Sequence, residues 1–177
     1  STEEGVFHES LDFASLKNLN ILFVCENNFY SVYSPLSVRQ PPNREIYKMV
    51  KGCHIKTFKT NGNFTNSVVS SFLKAKNYVE KNEKPVFLEY QTYRWYEHCG
   101  PNLDDHLKYR DKNELLYWKK NDPIKILENF LIKKKWMKNN SIQSMKKSII
   151  KKIDLAFKYA KRSSFPKKKD LYKYLYK

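Results

Sequence analysis

Long apolar runs are missing from this sequence. The longest uninterrupted one, Ile21 to Cys25, has five residues, against the roughly 20 that a membrane-spanning helix needs. The opening "STEEG" is acidic and carries no apolar stretch of the signal-peptide kind. Both absences lead to the expectation of a soluble, cytoplasmic chain with no membrane partner. Cysteine is scarce as well: Cys25, Cys53 and Cys99 are an odd set with no C-x-x-C pair. That pattern argues against a disulfide framework and against a structural zinc site. Cys25, at the end of the apolar run, reads as a small buried hydrophobe. No segment repeats internally.

Acidic residues are depleted at one end only. Residues 133–177 hold 16 Lys/Arg against 2 Asp/Glu, while residues 1–132 hold 18 against 16. The net charge of +16 is therefore a property of the C-terminal quarter. Lys, Asn, Ile, Tyr and Phe are all abundant, and all have A/T-rich codons, so biased coding accounts for much of the excess on solvated faces. We expect no nucleic-acid partner; a basic helix that binds nucleic acid is the third and last of the readings kept open.

What is present suffices for a core. Of the 177 residues, 41% are apolar and 15% aromatic, too many for a disordered chain and enough for one domain. "STEEGVFHESLDFASLKN" offers a Ser-x-x-Glu box at Ser1 and Glu4, then Phe7, Leu11 and Ala14 at helical spacing. "NILFVC" reads as a short strand buried on both faces. A short helix in "PPNREIYKMVKG", a strand in "HIKTF" closed by the turn "TNGN", a long helix in "SVVSSFLKAKNYVEKN" and a strand in "KPVFLEYQTYR" follow. The alternation predicts an α/β fold with a parallel sheet. A long aromatic loop, "WYEHCGPNLDDHLKYRDK", comes next and is read as functional. Two short helices follow, the second with Pro123 in its first turn. Ile142, Met145, Ile149, Ile153, Ala156 and Ala160 then mark a final amphipathic helix, its stripe read as core packing. The tail "SSFPKKKDLYKYLYK" either docks through Tyr and Leu or frays.

In parallel α/β sheets ligands sit beyond the carboxyl ends of strands, where "CENNFY" places Asn27, Asn28 and Tyr30. An amide oxygen and a main-chain carbonyl are hard, neutral ligands of the kind Mg²⁺ takes beside phosphate. Taken alone, a pair of asparagines after a strand makes a turn.

The longer run "STEEGVFHESLDFASLKNLNILFVCENNFYSVYSPLSVRQ" closely resembles the alpha subunit of the first, decarboxylating component of thiamine diphosphate-dependent 2-oxo acid dehydrogenases. "EYQTYRWYEHCGPNLDDHLKYR", "NELLYWKKNDPIKIL" and "SSFP....LYKYLY" extend the likeness collinearly along almost the whole chain. The resemblance implies that residues 1–120 form the C-terminal part of a thiamine diphosphate-binding α/β domain, with a partial parallel sheet. Residues 121–177 are expected to form a basic helical C-terminal extension. It implies that Asn28 and the carbonyl of Tyr30 bind Mg²⁺, that Ser1 offers main-chain N–H groups to the cofactor's diphosphate, and that Asn27 holds the turn. His98 maps to the family's active-site histidine, near the cofactor and catalytic in proton handling and acyl transfer.

Arg94 and Arg110 are read as ion-pair partners of Asp104 and Asp105. A beta-type subunit would supply the pyrimidine-binding half, in an α₂β₂ assembly; a lipoyl-bearing acyltransferase would take the acyl unit from a 2-oxo acid substrate. The family's Gly-Asp-Gly, whose Asp the resemblance makes the metal's one anionic protein ligand, would stand just before Ser1, so the chain is expected to be a fragment or a natural truncation. Glu97 stands where the family has glycine, and Cys99 where it has serine. An inactive remnant or interaction module of the same fold is the alternative reading.

Overall fold

The computed structural model describes residues 1–173 and divides the chain into two compact units, Ser1–Leu127 and Glu128–Lys177.

In the first unit a three-stranded parallel sheet carries the fold. β1 (Leu22–Asn27), β4 (Lys56–Asn61) and β5 (Val86–Gln91) lie in the order β1-β5-β4, so the last strand enters between the other two. β5 is the buried strand: Val86, Phe87, Leu88, Glu89 and Tyr90 are all inaccessible. Its side chains alternate, as the pleat requires. Phe87 joins Leu11, Ile46, Val50 and Ile55 on one face, and Val86, Leu88 and Tyr90 join Ala75 on the other. The first face is covered by α1 (Gly5–Leu16) and α3 (Ile46–Gly52), the second by α4 (Thr65–Asn82). The α/β alternation with a parallel sheet is thus as expected.

Four features differ from, or add to, what the sequence leads us to expect. β1 is not buried on both faces: Val24 is half-exposed and Glu26 is exposed. β1 ends the sheet: on one face Phe23 and Cys25 pack against the core, but on the other the apolar cover reaches Leu22 and not Val24 or Glu26. The Ser1–Glu4 box does not form. α1 starts one turn later, at Gly5, with Glu4 as its N-cap and no side-chain cap. A small antiparallel hairpin, β2 (Tyr30–Ser31) with β3 (Ser34–Pro35), and a single helical turn, α2 (Leu36–Arg39), occupy the stretch after β1; strands two residues long leave no periodicity to read.

The fourth concerns the C-terminal stripe. α5 (Lys112–Lys120) and α6 (Pro123–Lys133) appear where expected, Asp111 capping α5 by accepting from the Asn113 and Glu114 N–H groups. α7 (Asn139–Arg162) also forms, but of its apolar stripe only Ile142 is buried. Met145, Ile149 and Ile153 are about half-exposed, so this face is not core within the second unit. Leu171 and Tyr172 of the tail are exposed too, and Tyr174, Leu175 and Tyr176 lie outside the described residues.

Candidate functional site

The register puts three amides in one row at the carboxyl edge of the sheet: Asn27 opposite Gln91, and Gln91 opposite Asn61. The chain leaves β1 there through a turn locked by its own side chains. Asn27 Oδ1 accepts from the Phe29 N–H at 3.1 Å, and Asn28 Oδ1 accepts from the Tyr30 N–H at 3.0 Å. Phe29 and Val32 have φ of 65° and 54°, a region that costs a side-chain-bearing residue energy and persists only where the surroundings impose it. Here Asn27 holds Phe29, and Arg94 Nη2 donates to the Val32 carbonyl at 2.8 Å.

Tyr30 spends its side chain elsewhere. Its hydroxyl donates to Glu114 Oε2 at 2.5 Å, and its ring meets those of Tyr93 and Tyr109 edge-on. Burial, and then the Glu114 carboxylate, push the phenol well above its usual range. Any metal-holding role therefore falls to the main-chain carbonyl of Tyr30. Asn28 Oδ1 keeps a second lone pair beyond the one Tyr30 uses.

A cavity of about 590 Å³ opens on this turn. Ser1, Asn28, Tyr30 and His98, the residues singled out from the sequence, all line it. Ser1 reaches it from just ahead of α1. That helix has no side-chain cap and no acidic residue in its first turn; the Phe7 N–H is taken by the Glu4 carbonyl, and the Gly5 and Val6 N–H groups remain open to an anion. Two lining residues had no sequence signal: Glu3 and Arg39 pair at 2.8 Å, and Gln40 donates to Glu3 at 2.6 Å. Burial raises the Glu3 pKa, but Gln40 and Arg39 outweigh it and hold the carboxyl below its ordinary value. The pair forms only in space, across 36 residues of chain.

Beneath the cavity lies a further residue with a readable but unread signal, Glu89, the one charged side chain in "PVFLEYQ". It is 2% exposed and accepts from Asn27 Nδ2 at 2.9 Å. Asn27 is thus engaged at both ends of its amide, as a turn-holding residue would be.

His98 is exposed, in a turn of the long loop. Glu97 closes that turn: its N–H donates to the Asn102 carbonyl, and its Oε1 accepts from Asn102 Nδ2 at 2.8 Å. A Cβ on Gly100 would meet Glu97 Oε1, so the carboxylate fills the space a larger residue would need. Further along, Asp104, 1% exposed, accepts from Arg110 and, at 2.5 Å, from the Tyr109 hydroxyl, with Arg94 at 3.7 Å. The Arg110 guanidinium lies over the rings of Tyr93 and Tyr109, and Tyr93 stacks on Trp118 at 5.7 Å. Burial pushes the Tyr93 phenol up to about 12. Both arginines therefore serve as ion-pair partners that fasten the loop.

Among the described residues no cluster of three or more His, Cys, Asp or Glu could hold a metal. Of the residues present, Asn28 and Tyr30 would offer a divalent cation neutral oxygens, beside the anionic oxygens of its own ligand, hard donors of the kind Mg²⁺ takes.

The sequence model of the family described as "Dehydrogenase E1 component" matches residues 1–169. The pyruvate dehydrogenase E1 component subunit alpha of Rickettsia bellii is 27% identical over 176 residues, 99% of this chain and 53% of that protein. The mitochondrial 2-oxoisovalerate dehydrogenase subunit alpha of Mus musculus is 30% identical over 94% of this chain and 37% of its own length. The chain spans about half the length, or less, of these relatives.

Proposed function

The chain belongs to the dehydrogenase E1 component family, and from that premise we propose that it is part of an alpha subunit that decarboxylates a 2-oxo acid and passes the acyl unit to a lipoyl carrier. Asn28, through its side-chain oxygen, and Tyr30, through its carbonyl, would hold Mg²⁺. Ser1 and the open N–H groups at the start of α1 would take diphosphate oxygens. Thiamine diphosphate, when bound, supplies the carbanion chemistry that decarboxylation needs. His98 would hold or move a proton at a ring nitrogen during acyl transfer, a task imidazole suits near neutral pH. A beta-type subunit would complete the pyrimidine half of the site in an α₂β₂ assembly, and a lipoyl-bearing acyltransferase would accept the product.

One observation carries this reading. The four residues assigned from the resemblance come from three separate stretches of chain and line a single cavity at the carboxyl end of β1. Pockets of this size take small molecules and cofactors. The test is turnover: the complete alpha subunit, co-expressed with its beta partner, is offered a panel of 2-oxo acids and an artificial electron acceptor. CO₂ release that requires both thiamine diphosphate and Mg²⁺ is expected. Its absence across the panel, from a folded and assembled protein, would reject the assignment and leave the inactive remnant.

A further inference from the structure

We propose that Glu89 is a positioning residue of this cavity: its carboxylate fixes the turn from Asn27 to Tyr30 and thereby sets the affinity of the site for a divalent cation. The proposal rests on the reading of Asn28 and Tyr30 as metal-holding residues.

Glu89 stands in the middle of the central strand, on the face that also bears Phe87. A carboxylate there is costly unless its oxygens are met by donors. Both are: Oε1 accepts from Asn27 Nδ2 at 2.9 Å and Oε2 from the Tyr47 main-chain N–H at 3.0 Å. These donors are uncharged, and bonds of this kind to an ionised acceptor are among the stronger ones. The same Asn27 accepts from the Phe29 N–H, and Asn28 accepts from the Tyr30 N–H. A continuous line of hydrogen bonds therefore runs from α3 through Glu89 and Asn27 into the strained turn. Glu89 is 62 residues from Asn27 in sequence, so it ties the turn to the sheet rather than closing it locally. An apolar residue would fill this strand position at lower cost but would leave Asn27 free to rotate.

The polarity of the line makes it testable. Asn27 must donate toward residue 89 and accept from Phe29, and residue 89 must accept from both sides. Glu89→Gln breaks this, because its NH₂ faces one of the two donors. Adding Asn27→Asp restores it: the new amide donates to the new carboxylate, its oxygen keeps the Tyr47 N–H, and the Phe29 N–H still meets a carboxylate oxygen.

The experiment measures three quantities in the assembled wild-type protein, Glu89→Gln, and Glu89→Gln combined with Asn27→Asp: the Mg²⁺-dependent Kd for thiamine diphosphate, the amide hydrogen exchange of Phe29 and Tyr30, and Tm. Glu89→Gln should weaken binding and speed exchange about tenfold each, the size of one lost buried hydrogen bond. The double variant should recover both. Unchanged binding and exchange in Glu89→Gln would overturn the proposal, as would a folded double variant no better than the single one. Should Glu89→Gln fail to fold, recovery of the fold and of binding in the double variant supports the line of bonds, and its failure to recover overturns it. Absence of Mg²⁺-dependent binding in wild type would instead overturn the metal reading; exchange at Phe29 and Tyr30 then decides the role of Glu89 by itself.

Discussion

Asn27, Asn28 and Tyr30 share one turn and divide its work: Asn27 faces inward to Glu89, Asn28 braces the next main-chain N–H, and the Tyr30 side chain anchors α5 through Glu114. His98 differs from all three in being exposed and free of the core. His98→Ala should therefore leave Tm within about a degree or two, as exposed substitutions away from special features change stability by only about 0.5 kcal/mol. In the assembled enzyme it should lower acyl transfer to a lipoyl carrier by about 10²–10⁴-fold, the usual cost of losing a positioned proton-transfer group. Decarboxylation read with an artificial acceptor should suffer less. Parallel assays and a melting curve check this; full activity in both assays contradicts the role given to His98, and unfolding makes it structural. At this scale the sequence was legible wherever a local motif marks a position, as "CENNFY" and "YEHC" do. Glu3 and Arg39 were not legible, because nothing local records a pair that meets only after α1 and α2 are in place.

Among elements, the loop after β5 is held more firmly than its lack of periodicity suggests. Asp104 and Arg110 are both nearly inaccessible and pair with each other, and removing one partner of such a pair leaves a buried charge uncompensated. Asp104→Ala should cost about 3–5 kcal/mol and raise amide exchange across residues 94–110; a loss below about 1 kcal/mol, measured by urea denaturation, would contradict the buried-pair account. The stripe of α7 makes the opposite case. Ile153 is 49% exposed while Leu88 is 0% exposed. Ile153→Asp should shift stability by about 0.5 kcal/mol or less, whereas Leu88→Ala should cost about 2–5 kcal/mol. Equal losses would mean that the α7 face is core after all. Period three-and-four spacing revealed that α7 has an apolar face; it could not reveal what covers that face. β1 failed for a related reason, since an apolar run in an edge strand looks the same on paper as one in a central strand. Every helix and strand of more than five residues was otherwise legible from its period and its punctuation.

For the whole molecule, the α/β class was legible but the strand order was not. Alternation predicts parallel strands; that β5 enters between β1 and β4 depends on burial, which makes "VFL" the centre and leaves "LFVCEN" at the edge. The charge is equally uneven. If the excess in residues 133–177 is compositional, affinity for duplex DNA should be weak and fall away between low and physiological salt, as counterion release demands; sequence-selective binding at physiological salt would revive the nucleic-acid reading. On the proposed function, the cavity on the Asn27–Tyr30 turn holds a diphosphate through a metal. These 177 residues contain no Gly-Asp-Gly, so on their own they should bind thiamine diphosphate only weakly, and the decisive measurement belongs to the complete alpha subunit with its beta partner. Calorimetric titration of thiamine diphosphate with and without Mg²⁺, in wild type and Asn28→Ala, should give binding that requires Mg²⁺ and weakens by about 10–100-fold or more in the variant, at least the loss typical when even an outer partner of a metal ligand is removed. Binding that needs no divalent cation, or an Asn28→Ala variant with wild-type affinity, would contradict the account.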